Sequence, residues 1–359
     1  MFAHLRRALQ LLPHRCGSRG SFALAANRCA CHSPSEMRLR AILAVFVVAV
    51  GLVGLTQASA AGPGGEGVPR FGHVFVIIGE NTDYQHLTTV NAPYLMNSVR
   101  PSSAWFENYY AATHWSQANY VALTSGRFTS CEQSDHGYAC RDDVDNLFHQ
   151  LDKASRSWKV WLDATPGKCD TGSGGTCSSD QPCPLTGFYT TGNPPIDYTD
   201  IPYNECVIND IPAGNPQDGM ATFNSQLASG NVADFNLVIP NGCNDGEKNC
   251  APLNNRYTQF DDFLAQEIPR IEASPAFGNN GVIAITYDED QRMSGLAPKN
   301  ALGSGGHTVC ALISPLLQRG DQAPTTYSYS LLRTIQDGLA LHPYLGSAAQ
   351  VQPLPVTWK

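Results

Sequence analysis

Three short segments carry side chains suited to metal-assisted or nucleophilic chemistry. An apolar run from Val74 to Ile78 passes through Gly79 directly into Glu80-Asn81-Thr82-Asp83. A second, from Val282 to Thr286, passes through Tyr287 into Asp288-Glu289-Asp290. If both runs are strands of one sheet, their acidic ends crowd negative charge, which is tolerated when a cation sits between them. The third segment, Thr113-His-Trp-Ser-Gln-Ala-Asn-Tyr-Val-Ala-Leu-Thr-Ser-Gly126, places the Ser116 hydroxyl just ahead of a helix predicted to begin near Ala118. A serine at the positive end of a helix meets a phosphoryl oxygen or a metal-bound alkoxide favourably. Taken singly, each feature has a plainer explanation: a polar loop for Glu80-Asn81 and an ordinary N-cap for Ser116.

The elements that must position these groups are legible as alternating patterns. Val74–Ile78, Trp158–Leu162, Phe235–Ile239, Val282–Thr286 and Val309–Ile313 read as buried strands, being short, apolar and rich in β-branched residues. Helix-compatible spacing of apolar residues runs over 120–126, 143–154, 219–228, 258–272 and 328–341. That alternation predicts an α/β domain with a mostly parallel sheet, in which ligands bind outside the carboxyl ends of the strands. The stretch from Pro166 to Pro216 is so rich in Gly and Pro that no regular structure is expected there, only a disulfide-stapled flap or structural loop. Trp105, Phe106, Tyr109 and Tyr110 read as core rather than as a lipid-binding face.

Composition narrows the classes. The chain has 359 residues, 42% hydrophobic and only 15% charged, with 32 Gly, 24 Pro and 12 Cys, which excludes a disordered, collagen-like or polytopic membrane protein. The net charge of −8 disfavours nucleic acid as a partner. Met37-Arg-Leu-Arg40, the apolar run 41–55 and Thr56-Gln-Ala-Ser-Ala60 form a Sec-type signal peptide over 37–60, too short an apolar run to span a bilayer comfortably. Residues 1–36 read as an upstream extension ahead of a better start, and 61–359 as a single domain. Without the first 60 residues the balance is 16 basic against 30 acidic side chains, a net of −14. The expected product is a secreted monomer with no stable membrane anchor, a retained N-terminal anchor being the lesser alternative.

Export makes disulfides the default for most of the nine cysteines that remain. Cys131 with Cys140 and Cys243 with Cys250 each close a short polar loop. Cys169, Cys177, Cys183 and Cys206 form two more bridges in one of three connectivities. Cys310 lies within an apolar run and reads as a buried strand thiol. A zinc site in the 169–183 cluster is disfavoured, since no histidine lies there.

The ordered set of motifs resembles one family. An apolar strand ending in Glu-Asn, then Thr-His-x-Ser-x-x-Asn-Tyr-x-Ala-Leu-x-Ser-Gly, then Val-Ile-Pro-Asn, Tyr-Asp-Glu-Asp and Leu-Ile-Ser-Pro, is similar to the phosphoesterase family of the alkaline phosphatase superfamily, which includes bacterial secreted acid phosphatases and non-specific phospholipases C. The resemblance runs from Gly72 to about Leu341. It implies a three-layer α/β/α sandwich and a metal-dependent hydrolase of phosphate esters, acting on a small phosphate monoester or a phospholipid headgroup. By the same resemblance Ser116 is the nucleophile and Asn119 holds a phosphoryl oxygen. Glu80, Asn81, Asp288, Glu289 and His307 are the implied metal ligands.

Departures from the family pattern bear on the cation. Glu247 stands in Asn244-Asp245-Gly246-Glu247 where relatives have histidine, Ser328-Tyr329 replaces a His-Tyr pair, and Gly192-Asn193-Pro194 replaces a His-x-Pro segment. The remaining donors are mainly oxygen, which suits Ca²⁺, Mg²⁺ or Mn²⁺ better than Zn²⁺ and points to one cation. Three readings stay open: a one-metal phosphoesterase, a second site retained through Asp245 and Glu247, or a protein that binds phosphorylated ligands without turnover. His114 and Asp163 are further candidates for second-metal or substrate contacts. His73, His86, His136, His149 and His342 read as surface or core polar residues.

Overall fold

Each of the five apolar runs is a strand in the computed structural model, which describes residues 65–129, 131, 141–163, 165, 167–170, 192–214, 219–292 and 301–359. The strands are β1 (His73–Gly79), β2 (Ala104–Tyr110), β3 (Trp158–Leu162), β4 (Asp210–Pro212), β5 (Phe235–Ile239), β6 (Gly281–Tyr287), β7 (His307–Ile313), β8 (Gly320–Gln322) and β9 (Thr326–Tyr327). They form one sheet in the order β4-β3-β5-β1-β6-β7-β2-β8, with β9 also pairing with β2. The centre, β4-β3-β5-β1-β6, is parallel, and β7 is antiparallel to both β6 and β2.

Helices cover both faces, which is why the central strands are continuously apolar instead of alternating. The helices are α1 (Arg100–Ser102), α2 (Ser116–Ser125), α3 (Leu147–Lys153), α4 (Tyr203–Asn209), α5 (Ala221–Ser229), α6 (Arg256–Glu272), α7 (Pro275–Gly278) and α8 (Ser328–Leu339). In β1, Val74, Val76 and Ile78 pack with Val121 of α2, Phe148 of α3 and Leu332 and Ile335 of α8. Phe75 and Ile77 point the other way, against Phe223 of α5 and Phe260, Leu264 and Ile268 of α6. The result is a three-layer α/β/α sandwich. Residues Ser59–Lys359 form one compact unit.

Two elements differ from the pattern-based expectation. β2 escapes a period-two reading because its register shifts between Phe106 and Tyr109, where Phe106 pairs with Cys310 and Tyr109 with Thr308. One extra residue on β2 makes a bulge and breaks the alternation. The Gly/Pro-rich stretch also holds regular structure: after extended Pro202, α4 leads into β4, which extends the sheet edge beside β3. A Cys169–Cys206 disulfide closes this segment, which selects one pairing of Cys169 and removes both sulfurs from metal binding. Cys243–Cys250 is formed, and Cys310 is a buried free thiol. Cys140, Cys177, Cys183 and residues 1–60 lie outside the described residues.

Candidate active site

The parallel strands β1, β3, β5 and β6 deliver their carboxyl ends to one edge, and backbone hydrogen bonds fasten the loops that leave them. Asp288 N–H donates to the Gly79 carbonyl (2.9 Å), Glu80 N–H to the Asp245 carbonyl (2.8 Å) and Asp163 N–H to the Ile239 carbonyl (2.9 Å). Gly79 is required for close packing: a Cβ there would lie 2.6 Å from the Phe260 ring and 2.7 Å from that of Tyr287. Asn81 follows with a left-handed backbone (φ 43°), a conformation asparagine adopts more readily than most residues. This turn lets its N–H donate to Asp288 Oδ1 (2.9 Å) while its amide reaches Glu247 Oε2 (2.7 Å) and Glu80 Oε2 (3.2 Å).

Glu80 is the hub. Ser116 Oγ donates to its Oε2 (3.0 Å) and Tyr120 Oη to its Oε1 (2.6 Å). Ser116 is the first residue of α2, two positions earlier than the expected helix start, with Trp115 as an extended N-cap that makes no side-chain cap bond. Its hydroxyl therefore lies within the first helical turn. Tyr120 joins the site although the sequence alone assigns it no role: it lies four residues after Ser116, and that spacing brings both side chains to one helix face.

The electrostatics are unbalanced without a cation. Burial pushes the Glu80 carboxyl well above the usual range, and the charges of Asp288, Asp245 and Glu247 add to the effect. Burial likewise raises Asp245, with Glu247, Asp288 and Asp163 adding, and pushes Asp288 up to about 7. Asp288 Oδ1 accepts from Asn81 and Glu289 N–H groups, whereas its buried Oδ2 lacks a well-formed hydrogen bond. Buried carboxylates at close range either hold protons or share a cation. Glu80, Asp288, Asp245 and Glu247 are oxygen donors of the chemistry a hard divalent ion takes, but no three of them stand as a preassembled ligand cluster, and the Asn81 amide meets Glu80 and Glu247 through its nitrogen.

The other candidates lie around this hub in three places. Glu289 faces α2: its Oε2 is 2.5 Å from His114 Nδ1 and accepts from Asn119 Nδ2 at 3.4 Å. Asn119 also clasps Thr113, accepting from its N–H (3.0 Å) and donating to its carbonyl (2.7 Å), which holds the turn before Ser116. His114 is buried, which lowers its imidazole pKa. Asp163 is fully buried and braces the 241–244 loop, its Oδ2 accepting from Asn241 N–H, Asn241 Nδ2 and Asn244 Nδ2. His307 stacks between Tyr84 and Tyr110 and its Nε2 donates to the Glu107 carbonyl (2.6 Å). No described contact joins His307 to the carboxylates. Asn193, in the divergent His-x-Pro segment, bonds buried Asp210 instead (2.8 Å).

Comparison with known proteins agrees with this architecture. The chain is 24% identical over 325 residues to a phosphatidylinositol-3-phosphatase of Mycobacterium tuberculosis, covering 88% of this chain and 90% of the relative. It is 24% identical over 221 residues, 62% of its length, to a probable acid phosphatase of Kluyveromyces lactis, and spans about half (48%) of that relative. Its fold matches an alkaline phosphatase superfamily protein from Vibrio parahaemolyticus with a TM-score of 0.54 at 12% identity, over 79% of this chain and 71% of the other. Among the described residues no helix is long and apolar enough to cross a membrane. Residues 89–341 match the Phosphoesterase family, and with the strand-end carboxylates and Ser116 gathered at one sheet edge, the chain belongs to that family of phosphate-ester hydrolases.

Proposed function

We propose that this chain is an exported, metal-dependent phosphatase that hydrolyses phosphate monoesters through Ser116. The observation that carries the reading is the buried Ser116–Glu80–Asp288 arrangement: a hydroxyl in the first turn of α2, hydrogen-bonded to one carboxylate, beside a second whose buried Oδ2 lacks a well-formed hydrogen bond.

Glu80 Oε2 accepts the Ser116 hydroxyl proton in a hydrogen bond and so orients Oγ. Attack by Oγ forms a bond to phosphorus as the bond to the leaving oxygen breaks, and the proton that Ser116 gives up toward Glu80 ends on the departing alcohol. Water then attacks the phosphoserine, releases inorganic phosphate and restores the hydroxyl. The positive end of α2 favours the negative charge that gathers at Oγ and the phosphoryl oxygens. Asn119, locked onto Thr113, keeps the turn that presents Ser116. A single Ca²⁺, Mg²⁺ or Mn²⁺ ion held by Glu80, Asn81 and Asp288, with Asp245 and Glu247 alongside, would neutralise phosphoryl charge and lower the pKa of a hydroxyl. Export through the 37–60 signal is supported by the disulfides. The mycobacterial relative's name specifies an inositol-lipid phosphatase, so a lipid-borne monoester belongs within the substrate class.

The test is p-nitrophenyl phosphate hydrolysis from pH 4 to 9, with EDTA and with Mg²⁺, Ca²⁺, Mn²⁺ or Zn²⁺ restored, alongside Ser116→Ala. The expected outcome is cation-dependent turnover that falls at least ~1,000-fold in the variant while its Tm stays close to that of the parent. Equal rates in Ser116→Ala would refute the nucleophile. EDTA-insensitive turnover would refute the metal.

A further inference from the structure

We infer that Arg256 recognises a second anionic group on the leaving alcohol, making the preferred substrates phosphate esters that also bear a carboxylate or another phosphate. This rests on the phosphatase reading above. A cavity of about 420 Å³ opens beside the carboxylate hub, lined by Asn81, Glu247, Asn249, Arg256, Tyr257 and Gln291. Asn81 and Glu247 belong to both the hub and this cavity, whereas Ser116 is not among the described walls. A group seated here lies beside the carboxylate hub and apart from Ser116.

Arg256 is the positive group in this wall. Its Nη2 donates to the Asn81 carbonyl (2.7 Å) and its Nη1 to the Glu247 carbonyl (3.4 Å), which uses two of the five N–H donors of a guanidinium. Its Cζ lies 5.2 Å from the Tyr257 ring centroid. Among the described residues no carboxylate forms an ion pair with it. Arg292, nearby in sequence to the hub, is instead neutralised by Asp290 at 2.7 Å. A half-buried guanidinium held by neutral carbonyls keeps its charge and fork geometry available for carboxylate or phosphate. The use of that charge is electrostatic: Glu247 in the same wall repels an anionic group, and the guanidinium supplies the local positive charge that offsets it.

Calorimetric binding to the full-length Ser116→Ala protein, in Mn²⁺ buffer, tests the assignment without turnover. The ligands are glycerol 3-phosphate, its carboxylate-bearing analogue 3-phosphoglycerate, and propane-1,3-diol bisphosphate. The expected result is Kd lower by about ten-fold or more for at least one doubly anionic ligand, collapsing to within about two-fold in Ser116→Ala/Arg256→Gln, with Arg256→Lys intermediate. The analogue that shows the preference tells whether carboxylate or phosphate is read. No preference in the Arg256 protein overturns the inference. Equal weakening of all three ligands by Arg256→Gln also overturns it, since Arg256 would then only clamp the Asn81 and Glu247 loops. Failure of the phosphatase reading shows separately, as absent p-nitrophenyl phosphate turnover by the parent protein.

Discussion

Replacing Tyr120 by Phe removes one oxygen atom from a fully buried ring and tests whether Glu80 is a cation ligand held in place by its neighbours. Burial pushes the Tyr120 phenol well above its ordinary pKa, and the Glu80 charge adds to the effect, so it is a neutral donor at any working pH. Its 2.6 Å bond to Glu80 Oε1 fixes one carboxylate oxygen while Ser116 and Asn81 engage the other. A hydrogen bond to a charged group contributes about 1.5–3 kcal/mol. Loss of a partner that orients a metal ligand typically weakens metal affinity about 10- to 100-fold, or about 1.4–2.8 kcal/mol at 1.4 kcal/mol per decade. The two independent routes to a magnitude agree. The assay is Mn²⁺ titration of EDTA-stripped protein, read by turnover and by the metal-induced rise in Tm. Both midpoints should move to higher Mn²⁺ by the same factor, with the saturated rate reduced less than the affinity. An unchanged midpoint would refute the assignment of Glu80 as a ligand, whatever happened to kcat.

Two further predictions concern the scaffold. Burial pushes Asp210 up to about 8, so the folded chain retains a proton that the unfolded chain releases above about 4, and stability is lost as pH rises through that window. Asp210→Asn, which keeps an oxygen acceptor for Asn193, should therefore shrink the fall in Tm between pH 5 and pH 9; an unaltered fall would place the buried charge elsewhere. The Cys169–Cys206 bridge closes a loop with a sequence separation of 37, for which the chain-entropy relation gives about 3–4 kcal/mol. Urea denaturation of the Cys169→Ser/Cys206→Ser protein should show a loss of that order, and a loss below about 1 kcal/mol would mean that the segment is held by its packing alone.

The parallel strands were legible because each is buried on both faces and so appears as an uninterrupted apolar run: Trp158–Leu162 and Phe235–Ile239 match β3 and β5 end to end. β2 was not, because its bulge and its central Glu107-Asn108 pair interrupt the pattern while the aromatic residues still reach the core. Short α4 and β4 were hidden by Gly/Pro-rich surroundings, since pairing to β3 and a disulfide, both long-range, hold them. Within the candidate site, Glu80, Asn81, Ser116 and Asp288 stand out because they follow apolar strands or precede a helix, but it is the family resemblance that implies their roles. Side-chain partners were harder to see. Glu289 facing His114, Asp163 bracing the 241–244 loop and His307 stacked between tyrosines depend on which way each side chain turns at a strand end, and linear spacing does not encode that direction. Arg256 was invisible for the same reason: its relevance comes from reaching across to the loops after β1 and β5.

The left-handed turn at Asn81 has a consequence for how mutagenesis of this region is interpreted. At φ 43° any residue with a Cβ other than asparagine or aspartate carries a conformational penalty, so Asn81→Ala combines loss of the amide with a strained main chain and changes two variables at once. Asn81→Gly relaxes the backbone and deletes only the side chain; Asn81→Asp keeps the turn and replaces a donor to Glu247 with a fifth carboxylate. The pair separates geometry from charge where a conventional alanine scan would conflate them, and a severe alanine phenotype at this position is uninterpretable until the glycine protein has been measured beside it.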